Sequence, residues 1–268
     1  MHKKLQIIAL LGTAAWLGFI FSGFKGFPHW YEGFTFFFWL ALGSLNYFHD
    51  TSLWFAKNKT TRFFLFYFFL VIFWSYVDFV LGQKVTGLWV YPYAYSIFDW
   101  AGIYFVAYPF ASLAVVESIY FFTRIFGVKL EFKHFERRPF HKLVDYLDIS
   151  ILVLALVSPV LLLVRPGLVL TGYLIWVGFF WILIATIRLS FHIRHWFHYL
   201  MIVWVVYVMS VFLHEVPNTG VFEWRYNQAP ILNFEILGVP LWVIVGWYVL
   251  FLIMMKQWMF FGLKKKPD

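Results

Sequence analysis

Long blocks of apolar residues separated by short basic stretches constrain this chain more than any other feature. Runs of about 20 apolar residues, enough to cross a bilayer as a helix, occur at eight places in the sequence. Because 63% of the residues are hydrophobic and only 13% are charged, with a mean hydropathy of +0.77, a water-soluble globular domain is excluded. The sequence predicts an all-α integral membrane protein with eight transmembrane helices. They are Leu5–Gly23, Gly33–Phe48, Phe63–Leu81, Trp100–Phe126, Leu147–Val164, Gly167–Ile187, Tyr199–Leu213 and Ile236–Phe261.

The basic residues fall mainly on one side of the predicted membrane. With the N-terminus placed in the cytoplasm, seventeen of the 21 Lys and Arg residues lie on the cytoplasmic side, as the positive-inside rule requires. Both termini are therefore predicted to be cytoplasmic, and the net charge of +8 reflects topology rather than nucleic-acid binding. The N-terminal apolar run lacks a small-residue cleavage site followed by a soluble domain, so it is kept as the first span. We expect a multi-pass protein of a prokaryotic cytoplasmic membrane.

Two stretches of the chain, Val85–Phe110 and Asn218–Leu241, resemble each other, and each leads into a long apolar helix. This similarity predicts two tandem four-helix repeats, residues 1–128 and 146–268, joined by a basic cytoplasmic linker at 129–145. Repeats with an even number of spans share one orientation, so an axis along the membrane normal should relate them, with a cavity between them. The matched positions are Thr86-Gly87 with Thr219-Gly220, Trp89 with Phe222, Tyr91 with Trp224, Tyr93 with Tyr226, and Pro109 with Pro240.

Several acidic residues lie within or beside the apolar spans, where charged groups are unfavourable and commonly functional. A carboxyl group among aromatic rings loses hydration and holds its proton more tightly, so it can serve as a general acid near neutral pH. Aromatic faces stabilise a carbocation and stack on a conjugated polyene. The catalytic candidates are Asp78, Asp99, Glu117, Glu223 and Glu235. The candidate substrate-binding residues are Trp89, Tyr91, Pro109, His214, Glu215, Trp224, Tyr226, Asn233, Pro240 and Trp242.

Three histidines form a rival candidate site. His192, His195 and His198 recur every three residues, so on a helix they would share one face and could bind iron, copper or zinc. The other histidines are scattered along the chain, and Arg188 and Arg194 next to this group indicate a headgroup contact instead. We therefore predict no metal site. The chain has no cysteine, which excludes disulfides and thiolate metal sites, and it has no nucleotide-binding glycine motif, which suggests that no organic cofactor is bound.

The sequence around Phe69–Pro92 and Tyr108–Phe122 resembles the membrane lycopene cyclase domain. That family has an Asp near a helix end, then a G-x-W-x-Y/F loop, then a helix that opens with Pro and paired glutamates and carries a Phe pair. The matching residues here are Asp78, Gly87, Trp89, Tyr91, Pro109, Phe121 and Phe122. In the second half, Leu237–Trp247 resembles the carotenoid hydratase-like relatives of that family. The resemblance implies tandem halves and carotenoid biosynthesis.

The chain departs from this family at the paired glutamates. Phe110 and Ala111 follow Pro109, and Leu241 and Trp242 follow Pro240. Either another acid has taken over their role, or the chain only binds an isoprenoid.

Three functions therefore stay open. The first is cofactor-free modification of a carotenoid or isoprenoid end group by alkene protonation, as a hydratase or as a cyclase, which is an isomerase. The second is a non-catalytic membrane module that binds a carotenoid, quinone or lipid, or that acts as a subunit of a membrane complex. The third is a His-dependent metal oxidoreductase. For all three functions the protein is expected to be surrounded by membrane lipid. For the first function, the expected ligand is a long apolar isoprenoid or carotenoid.

Overall fold

The computed structural model describes residues 2–47, 51–128, 195–227 and 234–262, together with the single positions Tyr146, Ser150, Val153 and Val157. The predicted linker 129–145 and the predicted spans Leu147–Val164 and Gly167–Ile187 lie outside the described ranges. His192 and Asn233 do so as well.

The described chain is mostly helical. Four of its helical stretches are long and apolar enough to cross a membrane, and a shorter apolar stretch covers Leu241–Met255. This supports a membrane protein. In order, the helices are α1 (His2–Phe24), α2 (Trp30–Asn46), α3 (Ser52–Asn58), α4 (Thr60–Trp74), α5 (Ile97–Ala101), α6 (Tyr108–Ile125), α7 (Trp196–Val221) and α8 (Leu241–Gly262). Two wider π-helical segments continue α4 and precede α6, at Ser75–Val85 and Gly102–Ala107.

Two helix ends differ from the sequence prediction. The seventh predicted span stops at Leu213, but α7 continues to Val221 because its polar residues there are buried rather than solvated. The eighth was predicted to begin at Ile236, but α8 begins at Leu241. Before it, strands β3 (Glu235–Ile236) and β4 (Val239–Pro240) form a hairpin whose two turn residues both have positive φ, which is typical of a tight hairpin turn. Apolar composition alone does not distinguish this hairpin from helix.

Helix α6 lies at the centre of the described bundle and contacts α2, α4, α7 and α8. Small residues such as Ala111 and Ala114 allow these helices to approach closely, and both are almost fully buried. Glu117, also on α6, is fully buried and accepts hydrogen bonds from the Ser52 backbone N–H (2.8 Å) and from Asn46 Nδ2 (3.0 Å). The Ser52 hydroxyl donates to the same carboxyl group. Glu117 therefore ties α6 to the end of α2 and the start of α3.

At the other end of the bundle, two of the loops that connect the helices are hydrogen-bonded to each other. Strand β1 (Trp89–Val90) pairs antiparallel with β2 (Arg225–Tyr226), with Trp89 opposite Tyr226 and Val90 opposite Arg225. The backbone N–H of Asn227 also donates to the Leu88 carbonyl (2.7 Å). We call this end, formed by residues 25–29, 86–96 and 222–227, the loop end. It brings together the two loops whose sequences resemble each other.

Candidate functional site

Asp78 is the centre of a cluster of hydrogen-bond donors at the loop end. It lies in the π-helical segment that continues α4 and is 1% exposed. Its carboxyl oxygens accept from Trp89 Nε1 (2.6 Å), Tyr91 Oη (2.8 Å) and Tyr104 Oη (2.8 Å). Gln83 and Tyr108 donate to the same carboxyl group. Five donors occupy the acceptor directions of two oxygens, so Asp78 fixes the first loop and leaves no oxygen for a ligand.

Close packing of Trp89 against Gly82 holds this cluster together, and we expect Gly82→Ala to lower the free energy of unfolding by about 1–3 kcal/mol. A Cβ at Gly82 would overlap the indole of Trp89. That ring cannot move aside easily, because it donates to Asp78 and stacks on Trp242. Thermal unfolding in detergent would measure the change. Gly18→Ala, where a Cβ meets no atom within 4 Å, is the matched control and should not lower the free energy of unfolding. Equal melting temperatures for both variants would contradict this account.

Glu215 is the centre of a second cluster of the same kind. It lies near the end of α7, is 1% exposed, and accepts from Trp224 Nε1 (3.1 Å), Tyr226 Oη (2.7 Å) and Trp247 Nε1 (2.7 Å). Asn218 adds a further link, because its Nδ2 donates to the Trp224 carbonyl (2.9 Å). The second loop is thus fixed by a carboxylate in the helix before it.

The two clusters share one pattern. In each, a helix-end carboxylate binds the Trp and the Tyr of a Trp-x-Tyr strand, Trp89–Tyr91 for Asp78 and Trp224–Tyr226 for Glu215. The two strands pair with each other, so the Trp of one lies opposite the Tyr of the other. Trp89 therefore corresponds in its role to Trp224. The sequence comparison had instead aligned Trp89 with Phe222, two residues earlier in the chain.

A small cleft opens between the two loops and the start of α2. It contains about 210 Å³ of space without atoms, including its open mouth. His29 Nδ1 lies 3.8 Å from Glu32 Oε1 and 3.9 Å from Glu223 Oε1, and His29 Nε2 lies 3.9 Å from Asp99 Oδ1. The remaining lining residues are Tyr91, Tyr93, Ala94 and Ile103. Three carboxyl groups, one imidazole and two phenol rings thus surround this space.

The two glutamates of the cleft are buried but incompletely bonded. The side chain of Glu223 is 9% exposed and that of Glu32 is 18% exposed. In the part of the chain that the structure describes, the buried Oε2 atoms of both have no hydrogen-bond partner. Buried polar atoms normally find partners, so these two oxygens are suited to a ligand, a water molecule or a shared proton.

Glu223 lies just beyond the end of α7, and the pKa of its carboxyl group is raised to about 8. Burial is the largest cause and the neighbouring charge of Glu32 also raises the pKa, whereas hydrogen bonds from the backbone amides of His29 and Tyr31 lower it. A buried carboxyl next to a second carboxyl is the arrangement in which one of the two keeps its proton near neutral pH. Burial and the neighbouring carboxyl group thus both favour the protonated form of Glu223.

The ligand types in the cleft are also those that bind divalent cations. The donor atoms of His29, Glu32 and Glu223 lie within 4.8 Å of one another. Ligands about 2.0–2.1 Å from a zinc ion lie about 3.3 Å apart in a tetrahedron, so these side chains are spaced more widely than a zinc cage. His195 and His198, by contrast, are exposed at the opposite end of α7, with ring centroids 6.0 Å apart.

The other predicted site residues lie at different places in the fold. Asp99 is the third residue of α5 and forms a capping box with Ser96, and Glu235 is exposed in the β3–β4 hairpin. His214 is buried, with Nδ1 2.6 Å from Tyr31 Oη. Pro109 opens α6, and Pro240 lies opposite Glu235 in the hairpin. Of the five predicted acids, only Asp99 and Glu223 line the cleft.

Sequence reasoning missed His29 and Glu32, which lie in the short connection between α1 and α2 and at the start of α2. The missed signal was an ionisable pair directly before an apolar span, at the same predicted membrane face as Glu223. His29 also has a left-handed backbone (φ 62°), as does Phe222 next to Glu223 (φ 57°). Non-glycine residues seldom adopt this conformation, and it is found more often at functional sites.

The chain matches no protein-family model, no curated protein and no solved structure.

Proposed function

We propose that this membrane protein modifies the end group of a long isoprenoid, of the carotenoid class, by protonating its terminal alkene, with Glu223 as the proton donor. One observation carries the proposal. Glu223, which has one buried carboxyl oxygen without a partner among the described residues, lines a cleft together with two tyrosine rings. Such rings stabilise a carbocation through their π faces, which is what the product of alkene protonation requires.

Elimination among the acids that the sequence predicted as site residues supports Glu223. Asp78, Glu117 and Glu215 each accept several hydrogen bonds from protein donors and act as anchors between segments. Asp99 caps a helix, and Glu235 is exposed in a hairpin. A general acid needs a proton directed at the reacting atom of the substrate. Of these candidates, Glu223 alone combines burial, a pKa near neutrality and a position on the cleft.

The surroundings of the cleft favour an apolar substrate. The helices below it are apolar over most of their length, so a long hydrocarbon in the bilayer could bring one end to the loop end. The cleft is too small for a whole carotenoid, and its space of about 210 Å³ includes the open mouth, so in this proposal an isoprenoid end unit enters only when the lining side chains move apart. Protonation followed by water addition or proton loss leaves the redox state unchanged, so no redox cofactor is needed.

The symmetric pairing of the two Trp-x-Tyr strands supports the proposed duplication. An antiparallel pair in which Trp89 lies opposite Tyr226 has local twofold symmetry, which two similar halves with one shared orientation would produce. In this proposal the loop end is the non-cytoplasmic face of a prokaryotic cytoplasmic membrane, and the cleft lies beside the axis between the halves.

Pigment analysis of a lycopene-producing bacterium tests the proposal. Expression of the wild-type chain is expected to give a new carotenoid, and Glu223→Gln should reduce its amount at least 100-fold, because general acid catalysis contributes about 10²–10⁴-fold. The matched control is Lys25→Gln, an exposed side chain in the neighbouring connection, which should leave the product level unchanged. Chelator treatment of isolated membranes should not affect the reaction.

Other outcomes would contradict the proposal. A Glu223→Gln variant that retains the product would exclude Glu223 as the acid. Absence of any new pigment, with carotenoid co-purifying with the protein, would favour the non-catalytic binding module instead. Loss of activity on chelation, restored by added zinc, would favour metal-dependent chemistry.

A further inference from the structure

We infer that residues 95–98, which we call the loop tip, anchor the first loop in the headgroup region of the surrounding bilayer. The inference goes beyond the proposed function and does not depend on it. It starts from the side chains of Tyr95, Ile97 and Phe98, which are 85%, 78% and 82% exposed. No other large apolar side chain that the structure describes is as exposed, including those on the membrane-spanning helices. A cluster of exposed apolar side chains commonly marks a surface that binds a partner or a membrane.

Hydrogen bonds hold the backbone of the loop tip in one shape. A side-chain oxygen of Asp99 accepts from the backbone N–H groups of Tyr95 (2.9 Å) and Ser96 (2.7 Å). In return, the Ser96 hydroxyl accepts from the backbone N–H of Asp99 (3.3 Å). The next residue, Trp100, packs its ring against Tyr91, with centroids 5.8 Å apart. Because the tip is already ordered, insertion of its side chains into lipid costs little conformational entropy.

The length of the helical stretch that begins in the loop tip places it at the membrane surface. Ile97–Ile125 form one apolar stretch of 29 residues, which is about 40 Å long at roughly 1.5 Å per residue. The hydrocarbon core of a bilayer is about 30 Å thick, and the headgroup regions extend it to about 40–45 Å. A stretch of this length that crosses the bilayer reaches the headgroups at its ends, where aromatic side chains are enriched.

Two basic side chains near the loop tip complement lipid phosphate groups. Both are exposed, and each lies over an aromatic ring, 5.1 Å and 5.3 Å from the ring centre. The pairs are Lys84 with Phe79 and Arg225 with Phe222. A long basic side chain that follows an apolar ring and ends in a cation suits the boundary between hydrocarbon and water. The Phe79 ring also contacts Trp100, directly after the tip (5.9 Å), so the cation of Lys84 lies close to the apolar tip.

The apolar tip and the neighbouring cations together favour phospholipid as the occupant of this surface. Phospholipid offers both an apolar chain and a phosphate group at one depth, which a protein partner would have to match by a specific surface. The loop tip is also continuous with the cleft, since Tyr93 and Ala94 before it and Asp99 after it line that space. An anchored tip therefore places the cleft at the level of the headgroups.

Fluorescence quenching in nanodiscs tests the inference, and the lack of native cysteine allows labelling at a single site. The full-length protein with Phe98→Cys is labelled with an environment-sensitive dye and placed, one copy per disc, in phosphatidylcholine. We expect stronger quenching by a nitroxide near the headgroup end of the acyl chain than by a nitroxide at mid-chain, and little quenching by aqueous iodide. The emission should be blue-shifted relative to a label in water. Tyr95→Cys should give the same result.

Two control positions calibrate the depth. Ile72→Cys, on the 71% exposed side chain in the middle of the α4 span, should be quenched most by the mid-chain nitroxide. Lys3→Cys, exposed at the start of α1, should be quenched most by iodide. Thermal unfolding of each labelled protein, compared with the wild type, shows whether the label disturbs the loop, and the two tip positions check each other.

Three results would overturn the inference. Strong quenching of the tip labels by iodide, with none by the lipid nitroxides, would mean that the loop tip lies in water and is free for a second copy or a partner subunit. Protection from all the quenchers would mean that protein covers it. A quenching profile equal to that of Ile72→Cys would place the tip in the hydrocarbon core instead of the headgroup region.

Discussion

Replacing Asp78 by asparagine is expected to lower the free energy of unfolding by about 3–5 kcal/mol, because several buried donors lose their acceptor at once. The substitution keeps the shape of the side chain but replaces one acceptor oxygen with an NH2 group. In one orientation that group would face the donors to Oδ1, from Trp89, Tyr91 and Tyr108. In the other it would face the donors to Oδ2, from Gln83 and Tyr104. Thermal unfolding or SDS titration in detergent would measure the loss.

Glu235→Gln is the matched control for this prediction, since it makes the same carboxyl-to-amide change at the same end of the bundle on an exposed side chain. Its effect should stay within about 0.5 kcal/mol. If Asp78→Asn changed stability by as little as Glu235→Gln, the first loop would not depend on the carboxylate. The fixed position of Tyr91 in the cleft would then need another explanation.

Glu223→Gln is expected to stabilise the protein at alkaline pH, although it removes the proposed catalytic acid. The ordinary pKa of a glutamate is 4.5, and burial raises that of Glu223 to about 8. Between these values the unfolded carboxyl group has lost its proton while the native one retains it, so the native state binds more protons and its stability falls as the pH rises. A shift of this size corresponds to roughly 5 kcal/mol at about 1.4 kcal/mol per pH unit.

Glutamine cannot ionise, so the variant should lack this loss. Its stability advantage over the wild type should grow from pH 4.5 to about pH 8 and then level off. Melting temperatures of the two proteins measured across this range would show the trend. A constant difference between Glu223→Gln and the wild type would mean that Glu223 titrates normally, and Glu223 would then be a poor acid at neutral pH. A functional acid that lowers stability is a common trade-off.

Most of the described helices follow from the sequence. Continuous apolar runs predicted α1, α4, α6 and α7 within a few residues at most of their ends, because in a bilayer a helix satisfies its own backbone hydrogen bonds and needs only apolar side chains. The hairpin before α8 was missed for the same reason. Its residues from Ile236 onward are apolar too, and only the positive φ angles of Leu237 and Gly238 reveal the turn.

Less of the candidate site than of the fold could be predicted from the sequence. The sequence drew attention to Asp78, Glu215 and Glu223 as carboxyl groups next to apolar segments, and it paired the two loops that meet as β1 and β2. It did not distinguish an anchor from an acid, since that depends on how many donors surround each oxygen. Asp78 and Glu223 both lie next to apolar segments, yet five donors bind the first, whereas the second lines the cleft and has one buried oxygen without a partner among the described residues.

Composition and charge by themselves determined that this chain is a helical membrane protein, because burial of apolar side chains and the cost of exposed backbone in lipid act on each span separately. The partnership of Glu32 with Glu223 was decided only by the tertiary structure. About 190 positions separate them in the chain, and their approach depends on how α2 and α7 rotate and pack. Nearly uniform apolar helices carry little information about rotation, so hydrogen bonds to a few buried carboxylates set it instead.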